Sequence, residues 1–115
     1  MSLHFRICAA SLLLAWMPSA VCLAVESSDL WELARSRQNT HRFSTLITAQ
    51  QVRDHLATED GIDASIKWCK KTAVTKVYIE TFRSDYLAPR ETLKRAKQRF
   101  LAAGFDVSGC VTTTI

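Results

Sequence analysis

Apolar positions along the chain change their spacing several times, and each change marks an element. From Ile7 to Met17 they are nearly continuous, broken only by Ser11. A run of about 11 residues is too short to cross about 30 Å of hydrocarbon as a stable helix. Within residues 26–38, Leu30, Trp31, Leu33 and Ala34 predict a short helix with Ser28 as its cap. Residues 41–48 carry Phe43, Leu46 and Ile47 and predict a short extended segment. Thr48 followed by Gln51 three positions later reads as a capping box. Val52 and Leu56 lie one helical turn apart behind it, and Glu59, Asp60 and Gly61 are expected to end that helix. Ile62, Ile66, Cys69 and Ala73 then form one helical stripe over residues 62–72, with Lys67, Lys70 and Lys71 on the outer side.

The pattern changes again at Val74. Residues 74–82 are rich in β-branched and aromatic side chains and hold no Gly or Pro, which predicts a strand. Pro89 opens the next helix where its missing N–H costs nothing. Leu93, Ala96, Phe100 and Ala103 form the apolar stripe of that helix, and Lys94, Arg95, Lys97, Gln98 and Arg99 its wet side. Gly104 suits a left-handed C-cap, and residues 105–112 form a second strand. Strand, loop, crossover-length helix and strand make a βαβ unit with parallel strands and a right-handed connection. The fold class is α/β.

The faces of the two strands differ. Val77 and Ile79 share one face of the first, and Tyr78, Glu80 and Phe82 the other. On the second, Val107 and Val111 flank Gly109, while Ser108, Cys110 and Thr112 face the opposite way. One aliphatic face lies under the helix, and a mixed polar face points elsewhere. A barrel interior near its ligand end has this character, whereas a doubly wound sheet is more often apolar on both sides. Ligands of parallel α/β folds bind at the carboxyl ends of the strands. The candidates there are Glu80, Arg83 and Thr112. Glu80 has three possible roles: binding a sugar hydroxyl, orienting Arg83 or tuning a neighbouring acid. Against these stands a plain ion pair with Arg83 or Lys76. Tyr78 and Phe82 read as packing residues. Ser84, Asp85 and Tyr86 read equally as a substrate rim or an ordinary turn.

The leading segment reads as an address. His4 and Arg6 precede the apolar run, Pro18 and Ser19 break it, and Cys22-Leu23-Ala24 offers small side chains for cleavage after Ala24. Residues 1–24 are therefore expected to be a signal peptide and residues 25–115 the exported domain, secreted or periplasmic. The alternative is a membrane anchor left uncleaved. Val21 is too bulky for lipid attachment through Cys22. After cleavage no stable membrane span is expected.

A chain of 115 residues holds one domain at most. Its 48% hydrophobic and 23% charged content, with 3 Gly and 2 Pro, excludes disorder and collagen-like repeats. The net charge of +4 raises nucleic-acid binding as a function. Yet the basic residues Arg90, Lys94, Arg95, Lys97 and Arg99 lie on the solvated side of an amphipathic helix, and an export signal precedes them, so no nucleic-acid partner is expected. No Cys-x-x-Cys or His-x-x-x-His occurs, which leaves no zinc pattern. No Gly-x-Gly-x-x-Gly, P-loop or Gly-x-Ser-x-Gly occurs either. No cofactor is expected. Cys69 and Cys110 sit on surfaces turned apart, so two buried thiols are expected and not a disulfide.

Four stretches carry a family resemblance: Arg42-Phe43-Ser44-Thr45-Leu46, Trp68-Cys69-Lys70-Lys71-Thr72, Val77-Tyr78-Ile79-Glu80-Thr81-Phe82-Arg83 and Ala103-Gly104-Phe105-Asp106-Val107-Ser108-Gly109. Residues 43–114 resemble the opening of secreted bacterial α/β-barrel proteins of the glycoside-hydrolase type. The resemblance implies the first two strands of a (β/α)8 barrel, carbohydrate as substrate and hydrolysis as reaction. Hydrolysis needs two carboxyl groups flanking the glycosidic bond. The resemblance places them on later strands, so no catalytic residue is assigned, and Glu80 is at most a subsite residue. The sequence stops at a strand end, which predicts the N-terminal part of a longer barrel without turnover of its own. Two function classes remain: a secreted carbohydrate-active protein seen in part, or a small secreted α/β binding module, using residues 43–48 as a third strand.

Overall fold

A computed structural model of the protein describes residues 27–113. The predicted leader and its cleavage point at Ala24 lie outside them. The elements run α1 (Ser27–Ser36), β1 (Ser44–Ile47), α2 (Ala49–His55), α3 (Glu59–Lys71), β2 (Lys76–Glu80), β3 (Phe82–Arg83), β4 (Tyr86–Leu87), α4 (Arg90–Ala102) and β5 (Asp106–Cys110). The sheet order is β1-β2-β5, and both pairings are parallel. Ile47 lies level with Ile79, and Glu80 with Cys110, so the carboxyl ends of the three strands share one edge of the molecule.

Five expectations need correction, one of them being the second strand, expected over residues 105–112, which runs Asp106–Cys110 and leaves Thr112 just beyond it. The extended segment near Phe43 is a full member of the sheet, so the chain contributes three parallel strands, as the small-module alternative expected, where the barrel resemblance implied two. Its short apolar pattern did not reveal its partner. Glu59, Asp60 and Gly61 do not end α2 but form the first turn of α3, where Thr58 caps the helix by accepting from the Gly61 N–H at 3.1 Å. Acidic residues suit that end of a helix because its free N–H groups carry partial positive charge. Ser28 lies inside α1, which begins at Ser27. The strand expected over residues 74–82 ends at Glu80, and Phe82–Arg83 turns back against Tyr86–Leu87. Ser84 and Asp85 both take positive φ, 47° and 62°, as a two-residue hairpin of the primed type demands.

The other boundaries follow local chemistry. Thr48 closes its capping box with Gln51, each backbone N–H held by the other's side chain. Pro89 precedes the first residue of α4. Helices α3 and α4 both feed a strand, and both stop in the same way. At Gly104, with φ 92°, N–H groups of Gly104 and Phe105 bond the carbonyls of Leu101 and Phe100. At Ala73, with φ 58°, Ala73 and Val74 repeat that pattern on Lys70 and Cys69. This double bond pattern is the Schellman motif, which satisfies orphan carbonyls and turns the chain toward the sheet.

The core lies between the sheet and the helices. Val77 and Ile79 of β2 pack there with Val52, Leu56, Ile62, Cys69, Ala96 and Phe100. Phe105 meets Phe100 edge-on at 5.4 Å and Trp31 at 4.6 Å between ring centres. Val107 packs partly against this cluster, but Val111 stands beyond the strand and is 57% exposed. Tyr78, on the opposite face of β2, is 39% exposed, whereas Glu80 at the end of the same face is wholly buried. The wet side of α4 is knitted to α3: Arg95 pairs with Glu59, and Arg99 with Glu59 and Asp63. Arg95 also donates to the Ala57 carbonyl at 2.6 Å. Two of the basic residues are thus held in ion pairs between helices. No helix among the described residues is long and apolar enough to cross a membrane.

Candidate functional site

Glu80 is the last residue of β2, and the alternation of the strand turns its side chain away from Val77 and Ile79. A carboxylate at 0% exposure needs partners, since burying an unpaired charge is costly. Three elements supply them. From α2, the Ala49 N–H donates to Oε2 at 2.9 Å. From β3, the Arg83 guanidinium donates through Nε to Oε2 at 2.7 Å. From the segment after β5, the Thr112 hydroxyl donates to Oε1. Arg83 Nη2 closes the ring by donating to Thr112 Oγ1 at 3.2 Å. The three residues singled out at the strand ends therefore form one connected cluster. Lys76, the other partner weighed for Glu80, instead lies over the Tyr78 ring at 5.2 Å.

The surroundings hold the cluster in place. Gln50 donates to the Arg83 carbonyl at 3.3 Å. Thr81 donates through its N–H to the Cys110 carbonyl at 2.9 Å, and the Ala88 N–H returns to the Thr81 carbonyl at 2.8 Å. The Ser84–Asp85 turn is thus anchored on both sides. The parts contributed by Ala49 and Gln50 were not legible in the sequence. A backbone N–H carries no side-chain signature, and Gln50 is an unremarkable helix residue.

The electrostatics define what the cluster can do. The Arg83 guanidinium is the main influence that draws the Glu80 carboxyl from 4.5 down to about 2, assisted by Thr112 and Ala49 and opposed by burial. Glu80 is ionised at neutral pH and has no proton to give, so the role of general acid in glycoside cleavage is closed to it. Among the described residues, no second carboxylate joins its hydrogen-bond network. What it does is hold Arg83, whose side chain remains 31% exposed at the rim. Cys69 is buried and Cys110 only partly so, and both are free thiols. Burial pushes the Cys69 thiol up to about 11, which leaves it unreactive at neutral pH. Among the described residues no group of three or more His, Cys, Asp or Glu side chains could hold a metal ion.

A three-stranded parallel sheet with helical crossovers and a polar cluster at its carboxyl edge defines an α/β domain. The family described as "Probable glycosyl hydrolase, catalytic domain" matches residues 27–115, and the chain belongs to that family. No curated protein and no solved structure matches the chain.

Proposed function

We propose that the chain is part of a secreted, carbohydrate-active (β/α)8 barrel protein, and that Glu80, Arg83 and Thr112 form a sugar-binding subsite at the barrel mouth. The observation that carries this reading is the cluster itself. It sits at the carboxyl edge of parallel strands, in a family of glycosyl hydrolase catalytic domains. The polar face of the sheet, where Tyr78 is exposed and Ser108 half-buried, supports a barrel interior. Residues 1–24 serve as the leader that exports the protein.

In this reading the subsite binds and does not cleave, because the Glu80 carboxylate is held ionised and its oxygens are taken by Arg83, Thr112 and Ala49. The experiment is saturation-transfer NMR on the full chain with a panel of oligosaccharides, beside a turnover assay on the same panel. Binding that weakens in Thr112→Val, without turnover, is the expected result. Turnover by the purified chain would sink the non-catalytic assignment, and absence of all saccharide binding would sink the subsite. Export is checked separately by N-terminal sequencing of protein recovered outside the cytoplasm of a bacterial host, expected to begin at Val25.

A second reading, a small secreted α/β binding or interaction module without enzymatic activity, draws on the single core around Phe100 and Phe105. A chain that melts cooperatively and binds none of the saccharides favours it.

A further inference from the structure

Arg83 has more hydrogen-bonding capacity than its partners use. The guanidinium carries five N–H donors in a planar arrangement. Its Nε edge is spent on the Glu80–Thr112 pair. The opposite edge, formed by Nη1 and the second proton of Nη2, meets no acceptor among the described residues. That edge lies on a side chain exposed by 31%.

The same contacts remove its freedom. Glu80 is wholly buried and tied to α2 and to Thr112, so it cannot follow Arg83 if Arg83 moves. The backbone of Arg83 is held by Gln50 and by a hairpin with two positive φ values. Glu80 and Arg83 together are neutral, but Glu80 lies on the Nε side, so the N–H donors of the free edge keep their positive ends directed away from it. What results is a rigid fork of two N–H donors, partly positive, at the edge where ligands of such sheets bind. A planar fork of this kind matches the two oxygens of a carboxylate, which accept both bonds at once. A sugar hydroxyl can engage only one arm well.

We propose that the free edge of Arg83 recognises the carboxylate of an acidic sugar, so that the subsite takes a uronate unit, with Arg83 as the specificity-determining residue and Glu80 as its positioning residue. This rests on the carbohydrate subsite proposed above. In the complex, the uronate carboxylate lies in the guanidinium plane and accepts from both Nη atoms, while Glu80 and Thr112 keep their present bonds.

The test uses the full chain, a panel of oligouronates (galacturonate, glucuronate and mannuronate trimers), their methyl esters and the corresponding neutral trimers. Affinity is read by titration calorimetry. Esterification keeps the sugar and removes the charge, so it probes the fork without altering the protein. The expected result is that at least one oligouronate binds and that its ester binds about tenfold more weakly or worse, as loss of a charge-assisted bidentate pair implies. Arg83→Lys keeps the charge but not the fork, and should lose the same preference while retaining whatever affinity the ester shows. Esters or neutral trimers binding as tightly as the acids overturn the uronate assignment and leave the subsite standing. No binding by any member of the panel overturns both.

Discussion

Glu80 shows how much one side chain can hold together. Its carboxylate joins β2 to α2, β3 and the segment after β5, all within a buried volume. Arg83 can turn to water when Glu80 is removed, but the Ala49 N–H and the Thr112 hydroxyl lose their acceptor, so Glu80→Ala should cost about 1–3 kcal/mol in urea unfolding. The pH dependence has a definite sign. The folded value, about 2, lies below the ordinary 4.5, so ionised Glu80 stabilises the fold fully above about 4.5. That contribution is lost as pH falls through about 2. Glu80→Gln should therefore flatten the fall of the thermal midpoint over that window, and an unchanged slope would show that other groups set it. The cluster was partly legible: strand alternation placed Glu80 on the polar face, and spacing put Arg83 and Thr112 at the same edge. The ring closed by Thr112 was not, since it joins residues on strands whose register only the fold sets.

At the scale of elements, caps and turns do most of the positioning. The reciprocal bonds of Thr48 and Gln51 start α2 where β1 stops, which brings the Ala49 N–H within reach of Glu80. Thr48→Ala should cost about 1 kcal/mol of stability by chemical denaturation, in line with other N-caps. It should also weaken saccharide binding if α2 shifts. Gly104 ends α4 in the left-handed region, and a Cβ there would meet the Arg35 guanidinium at 3.2 Å. A side chain in that conformation costs roughly 1–2 kcal/mol, so Gly104→Ala should lower stability by that amount. Gly104 was evident from sequence because glycine after an apolar stripe is a strong stop signal. Ala73 fills the equivalent place after α3, where alanine carries no such signal. The role of Gly61 was misread for a different reason. It looked like a helix stop, but Glu59 and Asp60 before it complement the start of α3, and a Cβ at Gly61 would lie 1.9 Å from the His55 carbonyl oxygen. The glycine lets α2 and α3 meet.

Among the described residues, one apolar cluster unites the helices with one face of the sheet, and the other face is polar, open at Tyr78 and closed over Glu80. Phe100 lies at the centre of the cluster, fully buried and in contact with Phe105. Phe100→Ala should cost about 3–5 kcal/mol, through lost burial and the cavity left behind. Calorimetry should show the midpoint falling while the midpoint of Leu87→Ala, at an exposed rim position, hardly moves. The ion pairs of Arg95 and Arg99 with α3 give the basic stripe a structural task. Such exposed pairs add little stability individually, and their value lies in aligning two helices.

Sequence alone determined the helices, the parallel βαβ unit, the apolar and polar faces of its strands and the residues at the carboxyl edge of the sheet. Each of these follows from local spacing, because side-chain periodicity is a property of neighbours in the chain. Tertiary structure decided what joins across the chain. It added β1 to the sheet, turned Phe82–Arg83 back into a hairpin, and drew Ala49, Glu80, Arg83 and Thr112 into one cluster. Those contacts span up to 32 positions, and no local pattern encodes which distant partner a buried charge will find.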